Sequence, residues 1–133
     1  MFKKIFVCSP YRGKTEEDVY RNIENAKKFC KFVASKGDYP FAPHLLYPRF
    51  LDDSDEHERN VGIEAGVAFL EKCDEIWVFA NKWEDVSEGM KAEMKVAYSL
   101  TKYFSIRDPE TFEELNNKVD FPIDWLDEDG VRT

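Results

Sequence analysis

Basic side chains are in deficit: 19 Lys and Arg stand against 27 Asp and Glu in 133 residues, a formal charge of −8. A polyanion is therefore repelled at long range rather than steered in, and a nucleic-acid polymer is not expected as a partner. A small anion held by a few local donors stays open. Cysteine is sparse as well. Cys8, Cys30 and Cys73 are odd in number and widely spaced, which gives neither a disulfide framework nor a zinc signature, so reduced, mostly buried thiols are expected. The two histidines, His44 and His57, have no partner at metal-ligand spacing; each reads as a loop histidine bonded to backbone, and no metal is expected. No apolar run reaches the roughly 20 residues that span a bilayer, and the first eight residues are too short for a signal h-region. A cytoplasmic protein without a membrane partner is the expectation. Internal repeats and low-complexity segments are also missing.

What is present suffices for one core. With 43% hydrophobic and 15% aromatic residues, a chain of this length fits a single domain of the common size, about 100–150 residues. Residues 4–8 form an apolar run closed by Ser9-Pro10-Tyr11-Arg12-Gly13, as a strand buried on both faces of a parallel sheet would read. Thr15-Glu16-Glu17-Asp18 resembles a capping box, and Val19, Ile23, Ala26, Cys30 and Val33 follow at helical spacing up to Gly37. A short strand at 39–43, a long loop through the acidic residues 52–56, a helix at 58–72 and a buried strand at 75–79 come next. The loop 81–88, a helix at 89–101, a strand at 103–106 and a short helix opened by Asp108-Pro109 and running to 116 complete the pattern. Alternating strands and helices predict an α/β fold with an open parallel, Rossmann- or flavodoxin-like sheet of 4–5 strands and helices on both faces. Residues 1–118 are expected to form this domain. The acidic tail 119–133, with Phe121, Ile123, Trp125 and Leu126, is expected to pack on it or on a neighbouring subunit.

Ligands of such sheets sit beyond the carboxyl ends of the strands, which directs attention to residues 9–13, 43–50 and 81–88. There is no GxGxxG, no GxxxxGK[ST] and no nucleophile elbow, and the three residues between Cys8 and Arg12 are too few to wrap a phosphate as a cysteine phosphatase does. Setting Met90 at zero on a wheel of about 100° per residue puts Ala97 near −20°, Met94 near 40° and Glu93 near −60°. Glu93 thus borders the buried face. It is either a partly desolvated carboxylate aimed at a ligand or a boundary glutamate paired with a lysine. Ser87 and the amides around Glu88-Gly89 form a helix start, read as an anion site or as an ordinary N-cap. Arg12 reads as a phosphate contact or as a solvated charge.

Together these stretches resemble the nucleoside 2-deoxyribosyltransferase superfamily, including its nucleoside-monophosphate N-glycosidase branch, from the first strand to the fourth. The family's loop after the first strand corresponds to Cys8-Ser9-Pro10-Tyr11-Arg12-Gly13, and its most specific motif to Ser87, Gly89 and Glu93 with Ala97 beyond. The resemblance implies a double displacement at the anomeric carbon of a nucleoside or its 5′-monophosphate, with Glu93 as nucleophile, no cofactor, and a homo-oligomer, dimer or tetramer. It implies a substrate site of Ser9, Tyr11, Arg12, Gly13, His44, Ser87 and Gly89: Ser87 with Arg12 toward a 5′-phosphate, Tyr11 beside the sugar, His44 over the base. Relatives place an aspartate that protonates the leaving base where this chain has Gly66, with Glu64 and Asp85 the nearest acids. A protein that keeps the pocket and only binds or senses a nucleotide is therefore a second expectation, and a structural or partner-binding module a third.

Overall fold

The computed structural model describes residues 2–122 and 126. Four parallel strands, β1 (Lys4–Cys8), β2 (Tyr39–Phe41), β3 (Glu75–Phe79) and β4 (Tyr103–Arg107), form one sheet in the order β2-β1-β3-β4. The continuous apolar character of β1 and β3 follows from burial on both faces. Ile5, Val7, Trp77 and Phe79 meet Phe29 and Val33 of α1 (Glu16–Ser35). On the other face Phe6, Cys8, Ile76 and Val78 meet Leu70 of α2 (Glu56–Lys72) and Met90, Met94 and Ala97 of α3 (Glu88–Ser99). The α/β architecture with helices on both faces is thus as the sequence predicts, with four strands.

Each helix starts where a side-chain oxygen satisfies a free amide. Thr15 accepts from the Asp18 amide, Asp55 from the Glu58 amide and Ser87 from the Met90 amide. The Asp55 cap sets α2 two residues earlier than expected. α1 ends at Ser35, and Gly37 just beyond it takes a φ of +87° that suits a residue without Cβ. β2 stops at Phe41, short of the predicted 43, because Pro43 opens a 3₁₀ turn (Pro43–Leu45), followed by a second (Tyr47–Arg49) inside the expected loop.

The short helix expected from Asp108 to residue 116 does not form. The Asp108 carboxylate accepts from the amides of Glu110 and Thr111 at 2.8 and 3.0 Å, a turn that competes with a helix for the same donors. Phe112 then takes φ +66° and buries its ring among Phe29, Phe32 and Phe79, with centroids 6.0, 4.8 and 6.2 Å apart. Glu114 bridges antiparallel to Arg107. The Asn116 side chain accepts from the Ile106 amide and donates to the Phe104 carbonyl, both at 2.7 Å, so the segment covers the free edge of β4. Beyond it, Phe121 packs on Trp83 at 5.4 Å and Leu126 borders the same core; Ile123 and Trp125 lie outside the described residues. Among the described residues no helix is long and apolar enough to cross a membrane.

Candidate active site

The strand order places the carboxyl ends of β1 and β3 side by side where their connections leave to opposite faces, the position at which open α/β sheets bind ligands. A cavity of about 620 Å³ lies there, within the 300–1,000 Å³ or so of small-molecule sites. The loop after β1, the 43–53 segment, one face of α2 and the start of α3 enclose it. Gly62 and Gly66 keep the α2 face low: a Cβ on Gly62 would meet Leu51 at 3.6 Å, and one on Gly66 would meet Pro43 at 3.8 Å.

Of the residues the sequence points to, Tyr11, Arg12, His44, Ser87, Gly89 and Glu93 all line the cavity. Ser9 and Gly13 stand outside its wall. Ser9 is buried beneath, its Oγ without a hydrogen-bond partner. Gly13 is exposed at the approach to α1, where a Cβ would collide with the Asp18 side chain.

Glu93 points its carboxyl inward. The residue as a whole is half-buried, but its Oε1 is inaccessible and has no hydrogen-bond partner, and no lysine pairs with it among the described residues. Burial pushes the carboxyl up to about 8, with the Cys8 thiol acting in the opposite direction. The desolvated carboxyl therefore holds its proton at neutral pH. The thiol itself, fully enclosed, donates to the Met90 carbonyl oxygen at 3.8 Å and is raised by burial and by Glu93.

On the opposite wall His44 stacks on Tyr11, centroids 5.0 Å apart and planes 20° from parallel. His44 Nε2 lies 3.0 Å from the Ser9 carbonyl oxygen. That oxygen can only accept, so Nε2 carries the proton and Nδ1 presents a lone pair. Burial lowers His44 to about 4, which keeps the ring neutral. Asn22 of α1 donates to the carbonyls of Tyr11 and Arg12 at 3.0 and 3.2 Å, fixing this loop from beneath.

Arg12 is committed to Asp53: Nε donates to Oδ2 at 2.9 Å, and a terminal nitrogen stands 2.7 Å from the same oxygen. This clasp joins the β1 loop to the acidic loop. Ser87 Oγ caps α3 through the Met90 amide at 3.2 Å, so the N-cap reading describes that hydroxyl, while the helix start still borders the cavity. Gly66 is buried on the wall, where it offers no carboxyl, and Glu64 and Asp85 are exposed and outside the wall. Among the described residues no group of His, Cys, Asp and Glu is placed to hold a metal.

A family model described as a domain of unknown function, DUF7768, matches residues 3–107. The chain belongs to that family. No curated protein matches it. Among solved structures, a 2-deoxyribosyltransferase from the psychrotolerant bacterium Bacillus psychrosaccharolyticus, described as a biocatalyst for the synthesis of nucleosides, is similar over 92% of this chain and 95% of its own. The TM-score is 0.61 and the identity 15%, a likeness that shows the fold.

Every residue of the cavity wall falls within the matched span of the DUF7768 domain. Three charged wall residues escaped the sequence reading of the site: Asp53, Glu58 and Arg59. Arg59 is half-buried, and no side-chain partner for it exists among the described residues. The one signal that pointed to this wall is the pair Gly62 and Gly66, four apart on a helix, which leaves a groove one turn beyond Arg59 and Glu58.

Proposed function

We propose that this DUF7768 protein cleaves or transfers the N-glycosidic bond of a nucleoside 5′-monophosphate or nucleoside, with Glu93 as nucleophile. The observation that carries the reading is the buried, unpaired Glu93 Oε1 on the wall of a nucleotide-sized cavity at the carboxyl ends of parallel strands. The stacked Tyr11 and His44 rings supply a flat wall for a base. The amides at the start of α3 and the unpaired Arg59 suit a 5′-phosphate, and Arg12, held by Asp53, serves to hold the loop.

In the reaction the ionised Glu93 carboxylate attacks the anomeric carbon, the C–N bond breaks, and the base leaves with its electron pair and gains a proton. Water or a second base then displaces the carboxylate and regenerates it. Because the carboxyl must first lose its proton, kcat/KM is expected to rise with pH up to an inflection near Glu93's value of about 8.

Gly66 favours a second reading, a binder without turnover, since it leaves the leaving base without an acid at that position. Incubation with a panel of nucleoside 5′-monophosphates and nucleosides, followed by chromatography for free base, separates the two. Base release that disappears in Glu93→Gln supports the enzyme. Ligand-dependent thermal stabilisation without base release supports the binder, and neither result with any compound rejects both. A homo-oligomer is proposed as well, supported by the exposed apolar Leu46, Phe50, Val61 and Ile63 beside the cavity and tested by light scattering.

A further inference from the structure

We propose, resting on the glycosidic reading, that Asp53 is a specificity-determining residue: its carboxylate occupies the Arg12 guanidinium in the unliganded protein and yields it to the phosphate of a nucleoside 5′-monophosphate. Both side chains stand on the cavity wall, so the pair borders the space a substrate fills. The acidic residues around Asp53 are engaged locally. Asp52 accepts from the Ser54 amide and hydroxyl at 2.9 and 2.6 Å, Asp55 caps α2 through the Glu58 amide, and Glu58 accepts from the Asp52 amide. Asp53 instead meets a residue 41 positions back in the chain.

The pairing suits exchange. Arg12 Nε and Nη2 both approach one oxygen, Asp53 Oδ2, at 2.9 and 2.7 Å, and Nη2 also donates to the Asp53 carbonyl oxygen at 3.4 Å. A guanidinium binds most strongly when two of its N–H groups meet two separate oxygens, as a phosphate offers; here they converge on one carboxylate oxygen. Arg12 Nη1 has no hydrogen-bond partner among the described residues, which leaves a donor for an incoming anion. With the two side chains 60% and 39% exposed, water screens the pair and opening it costs little. A 5′-monophosphate can therefore take the guanidinium from Asp53, whereas a nucleoside brings no anion to do so. The alternative is that Asp53 only ties the acidic loop to the loop after β1.

Asp53→Asn decides between these, since the amide keeps the side chain's size and the backbone contact but removes the charge. Calorimetry should show a nucleoside 5′-monophosphate binding up to about fivefold more tightly to the variant, the range an exposed ion pair covers, with a smaller change for the matching nucleoside. The gain should vanish in an Arg12→Ala background, because Asp53 acts through that guanidinium. Nitrogen-15 NMR of the Arg12 Nε–H follows the exchange itself: its resonance should move when the monophosphate or inorganic phosphate is added to wild type. Equal or weaker monophosphate binding by Asp53→Asn would make the pair a loop tie alone and overturn the proposal. So would a gain that persists in the Arg12→Ala background, or an Arg12 resonance unmoved by either anion. Failure of the glycosidic reading shows separately, as no base release from wild type, and leaves the binding results to stand.

Discussion

A buried carboxyl that keeps its proton makes the fold itself sensitive to pH. In the unfolded chain Glu93 ionises near 4.5, and in the folded protein near 8. Below the lower value both states are protonated and nothing is lost. Between the two values the unfolded state releases a proton that the native state retains, so stability falls by roughly 1.4 kcal/mol per pH unit and levels off above about 8. Glu93→Gln should remove that slope, which urea denaturation across this window will show as wild-type and variant curves that diverge as pH rises. Arg59→Ala should raise KM for a nucleoside 5′-monophosphate by about 10–100-fold, as the loss of a charge-assisted hydrogen bond would, and leave a nucleoside nearly unchanged. Arg12→Ala should show a smaller contrast, because its guanidinium is already occupied by Asp53. Equal effects of both on both substrates would remove the assignment of Arg59. The inward lean of Glu93 was legible from the helical wheel, since Met90, Met94 and Ala97 define the buried face. The Arg12–Asp53 clasp was not, because it joins residues 41 apart and depends on where a loop settles.

At the level of elements, the strands and long helices were readable because burial and capping act within each segment. β1 and β3 are apolar on both faces, and Thr15 caps the helix it precedes, whereas the Asp55 cap, set among other acidic residues, was not legible. The segment after β4 was misread because Asp108-Pro109 opens a helix or a turn equally well, and the outcome depends on where Phe112 buries its ring. α2 offers a test of the groove. A Cβ at residue 66 would meet Pro43 only at ordinary contact distances of 3.8 and 3.9 Å, and glycine in a helix interior costs about 1 kcal/mol relative to alanine. Gly66→Ala should therefore stabilise the protein by up to about that amount, read as a higher melting temperature. A loss would mean that the wall is tighter than the structure shows. Ser87→Ala, which removes the α3 cap, should destabilise by about 1 kcal/mol.

For the molecule as a whole, topology decides where chemistry can happen. The order β2-β1-β3-β4 opens one switch point, and the wall residues gather there from the loop after β1, the 43–53 segment, α2 and α3. The fold class and the location of the site were legible from the alternation of elements, whereas the cavity's volume and its unpaired atoms arise only when those distant segments meet. An overall charge of −8 repels an anionic substrate at long range, so raising ionic strength should screen that repulsion and oppose its weakening of the local attraction by Arg59. The central claim is that Glu93 forms a bond to the sugar. Incubation with a 2′-fluoro nucleoside 5′-monophosphate, whose fluorine slows breakdown of a glycosyl ester, followed by mass spectrometry of the intact protein and its peptides, tests it most directly. The account predicts a mass gain of one fluorinated sugar phosphate on the peptide holding Glu93, absent in Glu93→Gln; base release without that adduct, or an adduct on another residue, would contradict it.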